Sequence, residues 1–129
     1  MNSIKISVKR TDYYVNEKKQ TVTCVLTFDV NCSSEQECIM IDAGIRYTDM
    51  YNITANATAK VSEYDTFDIE RGKKVALAKA EMQAYRLARN LLIKARNKIQ
   101  RVFMNEVEVF RNKAALNILH NVEYIDANF

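Results

Sequence analysis

The stretch MQAYRLARNLLIKARNKIQRVFMNEVEVF, residues 82–110, decides the fold, because large apolar side chains recur through it at spacings of three and four. The residues that follow one another at this spacing are Met82, Tyr85, Arg89, Leu92, Arg96, Ile99, Phe103, Glu106 and Phe110. At about 100° per residue these side chains share one face of a helix, and we expect that face to meet the rest of the fold. Arg89 and Arg96 lie within it, and burying an unpaired guanidinium is costly. Each arginine is therefore expected to need a carboxylate or an anionic ligand.

The helical pattern extends well beyond this stretch, from Val75 to Leu119. Asp65 and Asp68 are spaced to cap the start of the helix. A continuous helix of roughly 50 residues would be about 75 Å long, whereas a small domain is about 30–35 Å across. The length favours a break near Met104 into two helices, with a single helix that leaves the domain as the alternative.

Four strands are predicted before the helix, over residues 3–10, 21–30, 38–47 and 54–62. The second alternates most clearly, with Val22, Cys24, Leu26, Phe28 and Val30 on one face. Polar connections are predicted at residues 13–19 and 31–37. The fourth strand carries Ala55, Ala57 and Ala59, which would let a helix approach closely. The predicted fold class is α+β: one domain over residues 1–129, with an antiparallel sheet in 1–64 and a helical part in 65–120.

The charge is strongly divided along the chain. The 129 residues have a net charge of +3, yet residues 1–70 carry −4 and residues 71–113 carry +9. Such a basic segment either attracts an anion or holds the two halves of the chain together.

The sequence contains none of the motifs that predict catalysis. It has no GxSxG, no Walker glycine loop, no GxGxxG and no HExxH. A single histidine and three cysteines without a CxxC pair argue against a metal site and a disulfide framework. We therefore predict no enzyme activity, no metal and no cofactor. No signal peptide or membrane-spanning apolar run is visible, so a cytoplasmic location with reduced thiols is expected.

A binding site for an anion has more support. Arg89, Arg96 and Phe103 are the first candidates, with Tyr85 beside them as a further stacking ring. Further candidates for phosphate or ribose contacts are Arg86, Asn90, Asn97, Arg101 and Arg111, with Arg46 contributed by the sheet. Two other interpretations stay open. In the first, the arginines form salt bridges with carboxylates such as Asp29 or Asp42, or with a partner copy. In the second, the basic helix binds nucleic acid.

Self-association is also expected. Val102, Phe103, Val107, Val109 and Phe110 offer more apolar surface than one small sheet can cover. A homodimer or larger homo-oligomer is therefore predicted.

Four short segments carry a family resemblance: ATAK at residues 57–60, DTFD at 65–68, GKKVA at 72–76 and AKA at 78–80. With the order of sheet and long helix, the chain resembles the phage Thoeris anti-defence sponges. The resemblance implies a sheet packed by long helices, homo-oligomers and no catalysis. It also implies sequestration of cyclic ADP-ribose isomers made by bacterial TIR-domain enzymes, and in some members of cyclic oligonucleotides. Family pockets use arginines, an asparagine and a stacking aromatic where protomers meet.

The leading functional prediction is thus a non-enzymatic, homo-oligomeric sponge for a cyclic nucleotide immune signal, acting in the cytoplasm of an infected bacterial cell. The partners implied are the anionic nucleotide and further copies of the chain, not a membrane. A basic nucleic-acid-binding phage accessory protein and a structural module assembled through its helices are the alternatives.

Overall fold

The computed structural model describes residues 3–61 and 66–128. It is an α+β protein, with an N-terminal antiparallel three-stranded sheet followed by one long C-terminal helix. The elements are β1 (Lys5–Asn16), β2 (Thr21–Asn31), α1 (Ser34–Asp42), a 3₁₀ turn (Tyr47–Asp49), β3 (Ile53–Lys60) and α2 (Ile69–Asn128). The chain divides into two compact units, Met1–Ala95 and Arg96–Phe129. The first unit holds the sheet and the start of α2, and the second holds the remainder of α2.

The second predicted strand is confirmed as β2, the centre of the sheet. Its five apolar side chains Val22, Cys24, Leu26, Phe28 and Val30 are all buried, as the alternation predicts. β1 pairs with β2 over a longer range than predicted, from Lys5 to Asn16, with an irregularity between Val8 and Arg10. The predicted connection at residues 13–19 is therefore wrong in its first half. The turn occupies residues 17–20 and ends at Gln20, whose φ is 51°.

The third predicted strand, residues 38–47, is wrong. Its first half, residues 38–42, lies in α1. This helix begins with a capping box: the Gln36 N–H donates to Ser33 Oγ and the Ser33 N–H donates to Gln36 Oε1. Glu35 and Glu37 lie in the first turn, where the helix dipole favours negative charge. The alternating isoleucines suggested a strand, but Ile39 and Ile41 are exposed while Met40 is buried. The sheet therefore has three strands instead of four.

The last predicted strand is confirmed as β3, which pairs with β2. Ala55 and Ala59 are buried and Ala57 is half-buried, so the alanine face points inward as predicted. The prediction for Ser62, at its end, lies outside the described residues.

Small residues on α2 meet this alanine face. The buried positions in the helix are Gly72, Ala76, Ala80, Ala84, Ala88 and Ala95, most of them four residues apart. Ala76 and Ala80 cluster with Val22, Cys24, Leu26 and Ala59, and Ala84 and Ala88 cluster with Phe28, Val30 and Ala55. The approach is closest at Gly72, where an added Cβ would lie 2.7 Å from Val22 Cγ2. Helix and sheet thus pack through alanine and glycine.

The prediction that the arginine stripe faces the sheet is wrong. Met82, Tyr85 and Arg89 are exposed, and only Leu92 from the stripe is partly buried in the first unit. Small residues let the helix backbone come close to the sheet, which buries more of the large side chains of β2. The same orientation leaves Arg89 in solvent and avoids the cost of removing a guanidinium from water.

The predicted break near Met104 is also wrong, since α2 is one helix from Ile69 to Asn128. Residues 73–128 contain no glycine or proline, the usual causes of a sharp kink. The size argument that favoured a break assumed one domain, whereas Arg96–Phe129 forms a separate unit. At the start of α2, the backbone N–H groups of Glu70 and Arg71 donate to Asp68 Oδ1, so Asp68 caps the helix as predicted. Asp65 lies outside the described residues.

Candidate functional site

The candidate site in the first unit is an exposed patch on α2, formed by Tyr85, Arg86, Arg89 and Asn90. We call these four residues the Arg89 patch. All four are exposed, and the Tyr85 side chain is 67% accessible. Arg86 and Arg89 are three residues apart, and the pairs Tyr85–Arg89 and Arg86–Asn90 are four apart, so the members of each pair are neighbours on the helix surface. The buried alanines fix the orientation, because the helix presents to solvent whatever lies opposite them.

The Arg89 patch lies in a segment of α2 that carries only positive charge. From Met82 to Asn105 the chain has six basic residues and no acidic one. Among the described residues, neither Arg86 nor Arg89 forms an ion pair. The described ion pairs within α2 are Lys73–Glu70 and Arg111–Glu108, at 3.8 and 3.5 Å. The patch thus combines two guanidinium groups, an amide and an aromatic ring, all open to a ligand.

Among the described residues, Arg89 forms no salt bridge with Asp29. Asp29 is buried and is engaged by other groups: its Oδ2 lies 3.2 Å from Lys9 Nζ, and its Oδ1 accepts a hydrogen bond from the Asn52 N–H at 2.9 Å. Lys9 also donates to Asn52 Oδ1. Asp29 therefore joins β1, β2 and the turn before β3, where Asn52 has a φ of 54°. Asp42, the other suggested partner, likewise forms no ion pair with Arg89 among the described residues.

The other helix candidates belong to the second unit. Arg96, Asn97, Arg101, Phe103 and Arg111 are all exposed there. The Arg96 guanidinium donates to Asn97 Oδ1 at 3.4 Å, and Arg111 pairs with Glu108. Over residues 96–128 the structure places these side chains along one helix, with no second element in that range to form a pocket around them.

Arg46 was predicted to be contributed by the sheet, and that prediction is wrong. It lies immediately before the 3₁₀ turn. Its Nη2 lies 3.2 Å from Asp49 Oδ1, and its Nε donates to Asp49 Oδ2 at 3.3 Å. This hydrogen bonding lowers the pKa of Asp49, and the charges of Arg46 and Lys94 lower it further. Arg46 therefore has a carboxylate partner already, unlike Arg86 and Arg89.

A cleft of about 230 Å³ was not foreseen from the sequence. Its walls include Lys60 at the end of β3 and Arg71, Gly72 and Val75 at the start of α2. Asp68, which caps the helix, also lines it, so the first free N–H groups of α2 already have an acceptor. The only sequence signal for the cleft was Gly72, which lines it and lets the start of α2 approach Val22 of β2 closely.

The cysteines are free thiols in three different environments. Cys24 is buried, Cys32 is partly buried and Cys38 is exposed. Burial, followed by nearby carboxylates, raises the pKa of the Cys24 and Cys32 thiols. Both stay protonated at neutral pH, which is unfavourable for a nucleophile or a metal ligand.

Within residues 3–61 and 66–128, no group of three or more histidine, cysteine, aspartate or glutamate side chains is placed to hold a metal ion. In the same part of the chain, no helix combines the length and apolarity that crossing a membrane requires.

None of the protein families, curated proteins or solved structures compared with this chain matches it. The interpretation of the site therefore depends on the geometry of the Arg89 patch and of the second unit.

Proposed function

We propose that this protein is a non-enzymatic, homo-oligomeric sponge that binds a small phosphate-bearing nucleotide through the Arg89 patch. The observation that supports the proposal is the exposed pairing of Arg86 and Arg89 beside Tyr85, without a described carboxylate partner. Guanidinium groups hold phosphate through paired N–H donors, an aromatic face can stack on a base, and the Asn90 amide suits a ribose hydroxyl.

The class of ligand follows from the family resemblance. A cyclic ADP-ribose isomer carries two phosphates and a base, which match the two arginines and the tyrosine. Binding such a signal without altering it would suppress a TIR-based bacterial defence. One exposed helix face encloses little of a ligand, so a second copy of the chain is expected to complete the site.

Calorimetry with cyclic ADP-ribose isomers tests this proposal. We expect Arg89→Gln to weaken binding by about 10- to 100-fold, because a hydrogen bond to a charged group contributes about 1.5–3 kcal/mol. Lys19→Gln is the matched control, since it removes one exposed positive charge in the turn after β1 and should leave binding unchanged. Because Arg89 is exposed, its replacement should leave the urea midpoint nearly unchanged.

Two results would contradict the sponge proposal. One is the absence of binding to every cyclic ADP-ribose isomer and cyclic oligonucleotide. The other is equal affinity in wild type and Arg89→Gln. A gel shift with duplex DNA that weakens steeply with salt would instead support the nucleic-acid alternative.

A second candidate function, a module assembled through its helices, is favoured by one specific observation. The part of α2 in the second unit leaves large apolar side chains such as Phe110 and Leu116 70% exposed. Apolar surface of this kind is typical of an interaction site. Self-association of the full chain without any nucleotide binding would support this function over the sponge.

A further inference from the structure

The second unit consists of helix alone over its described residues, 96–128. Apart from the half-buried Ala114, every one of these side chains is exposed. Thirteen large hydrophobic side chains in this range are at least 37% accessible. They are Ile99, Val102, Phe103, Met104, Val107, Val109, Phe110, Leu116, Ile118, Leu119, Val122, Tyr124 and Ile125. A helix with so much apolar surface is stable in water only when other helices cover it.

The richest apolar stripe on this helix is approximately symmetric about Asn112, since reversal of the helix exchanges six of its eight positions in pairs. It runs Ile99, Phe103, Val107, Phe110, Ala114, Ile118, Asn121 and Ile125 at spacings of three and four. These positions lie within about 80° of one line along the helix. Reversing the helix about Asn112 places Phe110 opposite Ala114 and Ile99 opposite Ile125. A large side chain then faces a small one near the centre, which is the arrangement that close packing requires.

The area of the stripe suits one partner helix. Each exposed Phe, Ile or Val leaves on the order of 100 Å² accessible, so the stripe offers roughly 600–700 Å² per copy. A standard stable interface buries about 800 Å² from each partner. Aliphatic stems beside the stripe, such as that of Arg111, bring the total close to that value.

The distribution of charge along the second unit determines whether the partner helix runs parallel or antiparallel. The first turns of the unit carry Arg96, Lys98 and Arg101 with no acid, and the last turns carry Glu123 and Asp126 with no base. In the middle, Glu106 and Glu108 balance Arg111 and Lys113. A parallel pair would place the basic turns side by side, whereas an antiparallel pair places them against the acidic turns of the other copy. Opposed helix dipoles favour the same choice.

We propose that two copies of this chain associate through the second unit as an antiparallel helix pair, with the two-fold axis near Asn112. This inference rests on the self-association in the proposed function and is independent of the ligand. It specifies how two copies assemble: the antiparallel pair sets the two basic segments at opposite ends of the interface, so any copy that completes the Arg89 patch is a further one, not the partner in this pair.

Distances between spin labels test the direction of the pair. A nitroxide is attached at Gln100→Cys or at Asn112→Cys in full-length protein whose native cysteines are replaced by alanine or serine. In the antiparallel pair the two labels at position 100 are separated by about 36 Å along the axis. In a parallel pair they lie across an interaxial gap of about 10 Å. Asn112 lies on the side of the helix away from the stripe, so labels at position 112 are at the same axial level and equally far apart in either arrangement and serve as the control.

Matched aspartate substitutions test the surface used. Phe110 is 70% exposed and Val109 is 69% exposed, yet they point to different sides of the helix. We expect Phe110→Asp to convert the dimer to monomer in sedimentation at micromolar concentration, and Val109→Asp to leave the dimer intact.

Each outcome has a distinct meaning. A long distance at position 100 in a dimer that Phe110→Asp dissociates supports the antiparallel pair. A wild-type chain that is monomeric at all concentrations overturns both this inference and the proposed self-association. A stable oligomer with a short distance at position 100, or one dissociated by Val109→Asp but not by Phe110→Asp, overturns the antiparallel pair alone.

Discussion

At the scale of single residues, Tyr51 reports on the packing of the segment between β2 and β3. Its ring lies 4.4 Å from that of Tyr47, centroid to centroid, and its hydroxyl donates to Glu37 Oε2 at 3.5 Å. A hydrogen bond with Tyr47 raises the pKa of Tyr51 to about 12, with burial and the charge of Glu37 adding to the effect. The contacts join α1 to the 3₁₀ turn, so the ionisation of Tyr51 reports on this packing.

The raised pKa predicts a loss of stability at high pH. An unfolded tyrosine has a pKa of about 10, so the folded state favours the neutral form. The contribution of Tyr51 to stability is complete below about pH 10 and is lost as the pH rises through 12. NMR titration of ¹³C-labelled tyrosine should show one late resonance that Tyr51→Phe removes. In Tyr47→Phe that resonance should titrate at lower pH. Titration of Tyr51 near pH 10 in wild type would show that the contact is not formed.

At the scale of the element, the orientation of α2 determines which residues are available for binding. The alanine face meets the sheet, and the face with Tyr85 and Arg89 meets solvent. Two alanines of the same helix make this orientation testable, because Ala80 is fully buried and Ala78 is exposed.

We expect Ala80→Leu to destabilise the first unit by about 1–3 kcal/mol, because the larger side chain would overlap Val22, Cys24 and Leu26. Ala78→Leu should change stability by less than about 0.5 kcal/mol, since it adds the same atoms in solvent. Urea unfolding followed by circular dichroism measures both. If Ala78→Leu were the more damaging substitution, the helix would instead present its arginine face to the sheet.

The elements also show what sequence reasoning achieved and where it failed. Strict alternation identified β2 and β3, because every second residue there is buried against one helix. The stripe in α2 was assigned to the wrong face because large apolar residues were taken as the buried ones. Alanine is only weakly hydrophobic, so its four-residue repeat carries little signal until a facing strand rich in alanine is considered. For the same reason, the large side chains of Ile39 and Ile41 were taken as the buried face of a strand.

The candidate site was predicted in part. Sequence analysis named Tyr85, Arg86, Arg89 and Asn90 but did not predict their grouping on one exposed surface, because it placed Arg89 on the face towards the sheet. Arg46 could not be placed correctly, since its position depends on the misassigned segment after β2. The cleft beside Gly72 was missed because it depends on where β3 ends relative to α2, which no local pattern encodes.

At the scale of the whole molecule, the two units divided at Ala95 are stabilised in different ways. The first unit has its own core, whose last cluster joins Met40, Met50 and Ala95. Residues 96–128 of the second unit form no core within one chain, because their large apolar side chains are exposed. Its helix is therefore expected to gain most of its stability from association.

This division predicts the outcome of truncation. A chain ending at residue 98 keeps all three core clusters, so it should unfold cooperatively with a free energy within about 1 kcal/mol of that of the first unit in the full chain. It should also be monomeric at every concentration, whereas the stability of the full chain should rise with concentration. Urea unfolding at two concentrations, with sedimentation, measures both properties. A chain ending at residue 88 is the control: it lacks Leu91, Leu92 and Ala95, leaves Met40 and Met50 uncovered, and should lose several kcal/mol. If residues 1–98 failed to fold while the full chain folded as a monomer, the second unit would be a structural part of the first.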